Sequence, residues 1–141
     1  SIKKEKPKRV AVLFASGKSI TAETEKATGA SLVKELGIID VVASHIKPDQ
    51  KDMKYIPYSL ETLAFDNPDV ILIVTMGKRS EVDENMKRTL TDNPAWANLT
   101  AVKNNRVVYL PNDLFLLNPG LRTPDALAEL VREVYAINPI Y

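Results

Sequence analysis

A chain of 141 residues, 45% hydrophobic and 26% charged, fits one globular domain, which at that size buries roughly 68–70% of its unfolded surface. A formal net charge of +1 offers no bulk attraction for nucleic acid or an anionic membrane. Cysteine is absent, which excludes disulfides and thiolate metal sites, and no apolar run is long enough to span a bilayer.

The basic residues between Lys3 and Arg9 are interrupted by Glu5 and read as a solvated lead-in. Arg9–Ala15, RVAVLFA, is a continuous apolar run of the kind that forms a strand buried on both faces. Ser16–Thr24 is polar and reads as a loop. A helical pattern then runs through Leu36 and closes on Gly37 as a C-cap. Asp40–Ala43 is a second short strand, and Ser44–Pro57, with Pro48 and Pro57, is an irregular connection.

Ser59 caps a short helix that cannot easily pass Asn67-Pro68. Val70–Thr75, VILIVT, is the clearest strand of the chain. A helix is expected from Ser80, with Asp83 as the far partner of a capping box, ending at Asn93-Pro94. Trp96 falls in a short turn of helix and reads as packing. Arg106–Leu110 is the last strand. Thr123-Pro124 opens a closing helix whose apolar stripe is Leu127, Leu130, Val131 and Val134. Strand and helix alternate without hairpin signals, which predicts an α/β, Rossmann-like doubly wound parallel sheet of about four to five strands with helices on both faces.

In such sheets ligands bind outside the carboxyl ends of the strands. The candidates on that rule are Ser16, Gly17 and Lys18, then His45, then Met76, Gly77, Lys78 and Arg79, then Asn112, Asp113, Leu114 and Phe115. Ser16-Gly17-Lys18-Ser19 looks like the end of a phosphate-binding loop, but Val12 stands where its first glycine belongs. With no nucleophile elbow and no acid pair, the set matches a binding surface for a large, partly apolar, anionic ligand better than an enzyme.

The order of motifs resembles the C-terminal lobe of class III substrate-binding proteins of ABC importers. KPKRVAVLF, YSLETLAFDNPDVILIV and NPAWANLTAVKNNRVVYLPNDLF followed by NPGL carry the resemblance. It implies a solute-binding component that captures a ferric siderophore, haem or cobalamin outside the cytoplasmic membrane, in the periplasm or lipid-anchored at its outer face. No permanently bound cofactor is implied. Residues 1–8 would be a lead-in from a connecting helix or an expression sequence, and residues 9–141 the lobe itself, with an N-terminal lobe missing.

The resemblance also assigns roles. Ser16, Gly17, Tyr58, Met76, Gly77, Lys78, Arg79 and Phe115 would face the ligand, and Glu61 would dock on arginines of the permease dimer. Without the resemblance Glu61 is simply an acid complementing the dipole of its helix. In the haem-binding branch a His-Gly pair follows the third strand, and Met76 stands in the place of that iron-ligating histidine. Met76 then has two readings, an axial haem ligand that raises the iron's potential or an apolar cleft wall. His45 is a solvated loop histidine or a second route to iron. Tyr55 and Tyr58 could stack on a ligand, and Lys78, Arg79 and Arg122 could pair with its carboxylates. The rival reading is a freestanding flavodoxin-like enzyme or regulatory domain in the cytosol, which needs a complete phosphate or metal site at the strand ends.

Overall fold

The computed structural model describes residues 8–110 and 123–135. Among the described residues six strands form one sheet: β1 (Arg9–Ala15), β2 (Ile20–Glu23), β3 (Ile39–Asp40), β4 (Tyr55–Ile56), β5 (Val70–Thr75) and β6 (Val107–Tyr109). The main path runs β4-β2-β1-β5-β6, with β3 also paired to β1. The helices are α1 (Thr28–Glu35), α2 (Leu60–Asp66), α3 (Arg79–Met86), α4 (Pro94–Ala97), α5 (Thr100–Lys103) and α6 (Thr123–Tyr135).

Strands β1 and β5 are the centre, parallel and in register from Val10↔Val70 to Ala15↔Thr75. Side chains alternate across a strand, and each face collects its own core. Ala11, Leu13, Ala15, Ile71 and Ile73 pack with Leu60 and Leu63 of α2, Val82 and Met86 of α3, and Trp96. Val10, Val12, Phe14, Val70, Leu72 and Val74 pack with Ala30, Leu32 and Val33 of α1 and with Ala126, Leu130 and Val134 of α6. This is why both central strands are almost wholly apolar. The expected layered α/β architecture is present, and Trp96 is a packing residue as read.

The sheet is mixed where a parallel one was expected. Ser16–Thr24 is a hairpin return: β2 runs antiparallel to β1, from Leu13↔Ala22 to Ala15↔Ile20, and β4 is antiparallel to β2. The second predicted strand is shorter and earlier, at Ile39–Asp40. The Asp40 carboxylate accepts from the Val42 amide at 2.9 Å, so the chain turns into a 3-10 segment at Val41–His45. Helix α3 has Lys78 as its N-cap with no side-chain bond. Asp83 pairs with Arg79 at 2.8 Å instead of closing a capping box. Gly37 does take the left-handed conformation, φ +74°. Its amide and that of Ile38 reach back to Lys34 and Val33 and close α1.

Burial of Glu23 follows from that hairpin. The side chain is 1% exposed and its Oε1 accepts from the Ala30 amide at 3.0 Å, in the first turn of α1 where amides lack helical partners. A Cβ on Gly29 would stand 2.8 Å from that oxygen, so glycine makes room for the carboxylate. Burial pushes the Glu23 carboxyl up to about 7, with the Asp40 charge adding to the rise and the amide bonds opposing it. Asp40 is likewise pushed up to about 6 by burial. Tyr55 faces the same cluster, its phenol raised by burial and by Glu23.

Both folded-state carboxyls hold their protons more tightly than in the unfolded chain. Their contribution to stability is therefore complete on the acid side and is lost as pH rises through about 6 and then about 7. The urea midpoint is expected to fall between pH 5 and pH 8. Glu23→Gln, which keeps an acceptor for Ala30, is expected to flatten much of that fall and to exceed the native chain at pH 8. The gain is on the order of 1–3 kcal/mol. Parallel pH profiles for the two proteins would overturn this account.

Candidate functional site

The carboxyl ends of β1 and β5 meet where the Met76 amide donates to the Ala15 carbonyl at 3.0 Å. This joins Ser16–Ser19 and Met76–Arg79 into one rim. Ser16 spends its side chain on the turn: its Oγ accepts from the amides of Lys18 and Ser19, at 3.3 and 3.1 Å. The Ser16 carbonyl accepts from Asn85 Nδ2 at 2.8 Å. Asn85 is 4% exposed, and its oxygen in turn receives Arg88 and Thr89. A buried amide on α3 therefore fixes the turn after β1. Gly17 completes the joint, because a Cβ there would lie 3.0 Å from Glu81 Cβ on α3.

Met76 is 50% exposed although it follows six buried residues. Gly77 holds φ +97° with nothing within 4 Å of a built Cβ, so the requirement for glycine is conformational, not steric. Its turn carries the chain from the end of β5 into α3 and leaves the Met76 thioether at the rim. Lys78 is exposed at the head of α3. Arg79 is held: its guanidinium lies 4.3 Å over the Tyr109 ring and bonds Asp83 at 2.8 Å. Tyr109 in turn donates to Met86 Sδ at 3.3 Å, and burial raises its phenol.

Other sequence candidates lie elsewhere. Tyr58 is turned away from the rim, since its hydroxyl donates to Asp66 Oδ2 at 2.5 Å. Burial and that carboxylate push its phenol up, which keeps the donor proton in place. His45 Nε2 meets the same carboxylate at 2.7 Å. Asp66 ends α2 beside the start of β1, where Arg9 Nη2 donates to its carbonyl at 2.8 Å, so both rings serve the opposite end of the sheet. Tyr58, expected to face the ligand, and His45, read as a solvated loop histidine or a second route to iron, are thus both engaged with Asp66. Tyr55 stacks on Phe14 with centroids 4.3 Å apart and is part of the packing. Asn112, Asp113, Leu114, Phe115 and Arg122 lie outside the described residues. Among the described residues, no group of three or more His, Asp or Glu side chains is placed to hold a metal ion.

Helix α2 forms a second surface. Ser59 caps it as expected, accepting from the Thr62 amide at 3.1 Å, and Glu61 stands exposed in its first turn. Phe65, which the motif reading passed over, is 86% exposed. Its off-stripe position was visible in the sequence: Leu60 and Leu63 mark the buried side of α2, and a residue two beyond Leu63 lies about 200° around the helix. Asn85 and Tyr109 had no sequence signal, because the contacts that matter at the rim, Asn85 to Ser16 and Tyr109 to Arg79 and Met86, join elements far apart in the chain.

Residues 1–114 match the family described as Periplasmic binding protein. The high-affinity heme uptake system protein IsdE of Staphylococcus aureus (strain Newman) is 30% identical over 128 residues, covering 91% of this chain and 42% of that protein. An ABC transporter substrate-binding protein from Listeria monocytogenes EGD-e superposes with a TM-score of 0.74 at 33% identity, over 96% of this chain and 50% of that one. S. aureus IsdE complexed with heme gives a TM-score of 0.74 at 28% identity, over 95% of this chain and 50% of that one. The chain thus spans half the length, or less, of these relatives. With the family match covering most of its length and the same α/β layering in its neighbours, the chain belongs to the periplasmic binding proteins.

Proposed function

We propose that this chain is the C-terminal lobe, residues 9–141, of an extracytoplasmic solute-binding protein. That protein would capture an iron complex, haem first and ferric siderophore or cobalamin next, and deliver it to an ABC permease. The observation that carries the reading is Met76: a half-exposed thioether on the joined ends of β1 and β5, in a chain 30% identical to a heme uptake protein. A second lobe would close the other side of the ligand.

The rim has the chemistry for such a cargo. Met76 supplies a soft, polarizable contact to a flat apolar ring or an axial sulfur to its iron. Lys78 is a solvated cation with no ion pair among the described residues. Arg79 is pre-aimed by Tyr109 and Asp83, which lowers the ordering cost of pairing with a carboxylate. Ser16 and Gly17 give a rigid backbone edge, and Phe115 would add an aromatic wall. Delivery would use Glu61 as a charged contact to cationic side chains of the permease, setting orientation more than affinity.

Two measurements test these roles. Titrating the full-length protein with haem, a ferric siderophore and cobalamin is expected to show saturable haem binding. Met76→Ala is then expected to shift the haem absorption spectrum and weaken binding by about tenfold or more, whereas Met76→Leu restores affinity only if the contact is purely apolar. An unchanged spectrum in Met76→Ala would remove axial ligation. In cells carrying the importer, Glu61→Arg is expected to abolish uptake while haem affinity stays native, and unimpaired uptake would remove the docking role.

A further inference from the structure

Asn85 is a polar side chain, 4% exposed, among the apolar residues of α3 that face the core. Both ends of its amide are engaged. Nδ2 donates to the Ser16 carbonyl at 2.8 Å, across 69 positions of sequence. Oδ1 accepts from Arg88 Nη2 at 3.1 Å and from Thr89 Oγ1 at 3.0 Å. A guanidinium only donates and a carbonyl only accepts, so one orientation of the amide serves both sides. Among side chains of the same shape, leucine offers neither function and an ionised aspartate only the acceptor.

Glu81 and Asn85 stand one turn apart on the same face of α3. Glu81 presses on Gly17, where a Cβ would lie 3.0 Å from the Glu81 Cβ, and Asn85 holds Ser16. The turn after β1 is thus seated on α3 at two successive residues. Helix α3 itself leaves Met76 across only Gly77 and Lys78, and the Met76 amide donates to the Ala15 carbonyl at 3.0 Å. These contacts close a ring that runs from Ala15 through Ser16, Asn85, α3 and Gly77 to Met76 and back. Both donors to Asn85 Oδ1 come from a π-helical turn, Lys87–Thr91, that continues α3. Turns of that kind inside helices are frequent at functional sites.

We infer that Asn85 is the positioning residue of the ligand rim: through the Ser16 carbonyl it sets where the Ser16-Gly17 edge stands relative to Met76, without touching the ligand. This rests on the ligand reading above and adds the group that keeps the rim in its binding shape. The Ser16 hydroxyl is engaged inside its own turn, so it is the bond from α3 that refers the turn to Met76. With the ring closed, a ligand meets an edge already in place and little ordering accompanies binding. With the Asn85 link cut, Ser16–Ser19 is free to pivot on β1 and β2, and binding has to reset it.

The test titrates the full-length protein with ferric haem, followed by absorbance, under conditions where urea curves show every variant folded. Asn85→Asp keeps the size of the side chain and its acceptor for Arg88 and Thr89 but sets an oxygen against the Ser16 carbonyl. It is expected to weaken haem binding about tenfold and to speed amide exchange at Lys18 and Ser19 in the ligand-free protein. The spectrum at saturation is expected to stay native, because the Met76 amide is held by Ala15. Gly17→Ala, which forces the same turn off Glu81, is expected to give a similar loss. Thr89→Val removes only a bond within the helix and is expected to leave affinity native. If Asn85→Asp and Gly17→Ala both bind haem with native affinity, the positioning role is wrong and the ligand reading stands. If Thr89→Val weakens binding as much as Asn85→Asp, Asn85 serves only its helix and the positioning role is again wrong. If the native protein shows no saturable haem binding, the haem reading fails and the positioning role fails with it.

Discussion

The pairing of β1 with β5 is the constraint on which the rest of the molecule depends. Six consecutive residue pairs lock the two strands in parallel, and Asp69 extends the lock by receiving the Arg9 amide on its carboxylate and donating its own amide to the Arg9 carbonyl. Because the pleat sends alternate side chains to opposite faces, this one register decides which residues meet α2 and α3 and which meet α1 and α6. A slip of one residue would exchange the two cores. The other edge of β1 is divided: β3 takes Arg9 and Val10, and β2 takes Leu13 to Ala15. That division explains why the return after Ser16 is a hairpin and not a crossover, and why the rim after β1 is a tight turn.

The two proposed surfaces follow from the same pairing. Joining the ends of β1 and β5 puts Met76 next to Ser16, and α3, entered through Gly77, is then close enough for Asn85 to hold the Ser16 carbonyl and for Glu81 to press on Gly17. At the other end of the strands, Arg9 is close enough to cap α2. Each site is thus supported by a residue whose own element is fixed by the central strands. The buried Glu23 is the exception in kind. It sits in the antiparallel wing and is sustained by the first turn of α1, and its raised carboxyl gives that wing a pH dependence of its own.

Layering, the positions of β1 and β5, the Ser59 cap, the Gly37 cap and the stripe of α6 were legible in the sequence because each depends on neighbours a few residues away. What was not legible depended on partners far along the chain. Ser16–Thr24 looks polar enough for a loop because Glu23 reads as a surface residue, and only the amides of α1 make it tolerable inside. Asp40 reads as part of a strand, and its capping bond to Val42 ends that strand early. Tyr58 precedes a motif that suggests the cleft, yet Asp66, two turns on, draws its hydroxyl to the far end of the sheet. Strand-end rules named Met76 and Gly77, since those residues need only the end of β5 to place them.

Strand β5 also governs how the two proposed surfaces can communicate. It is fully buried and hydrogen-bonded on both edges, to β1 and β6. Met76 follows it directly, and α2 precedes it across only Asn67, Pro68 and Asp69, with Asn67 pinned to Thr100 and Asp69 to Arg9. Moving α2 relative to Met76 would require breaking part of the central sheet or both pins, and packed interiors of this kind yield by discrete rearrangement and not by gradual bending. A partner docked on Glu61, as proposed, would therefore meet the same face whether or not the rim is filled. Under the proposed function, occupancy would then be read between lobes: a ligand bridging this rim and a second lobe would set the spacing between the lobes, while α2 and the rim keep their fixed relation within this one.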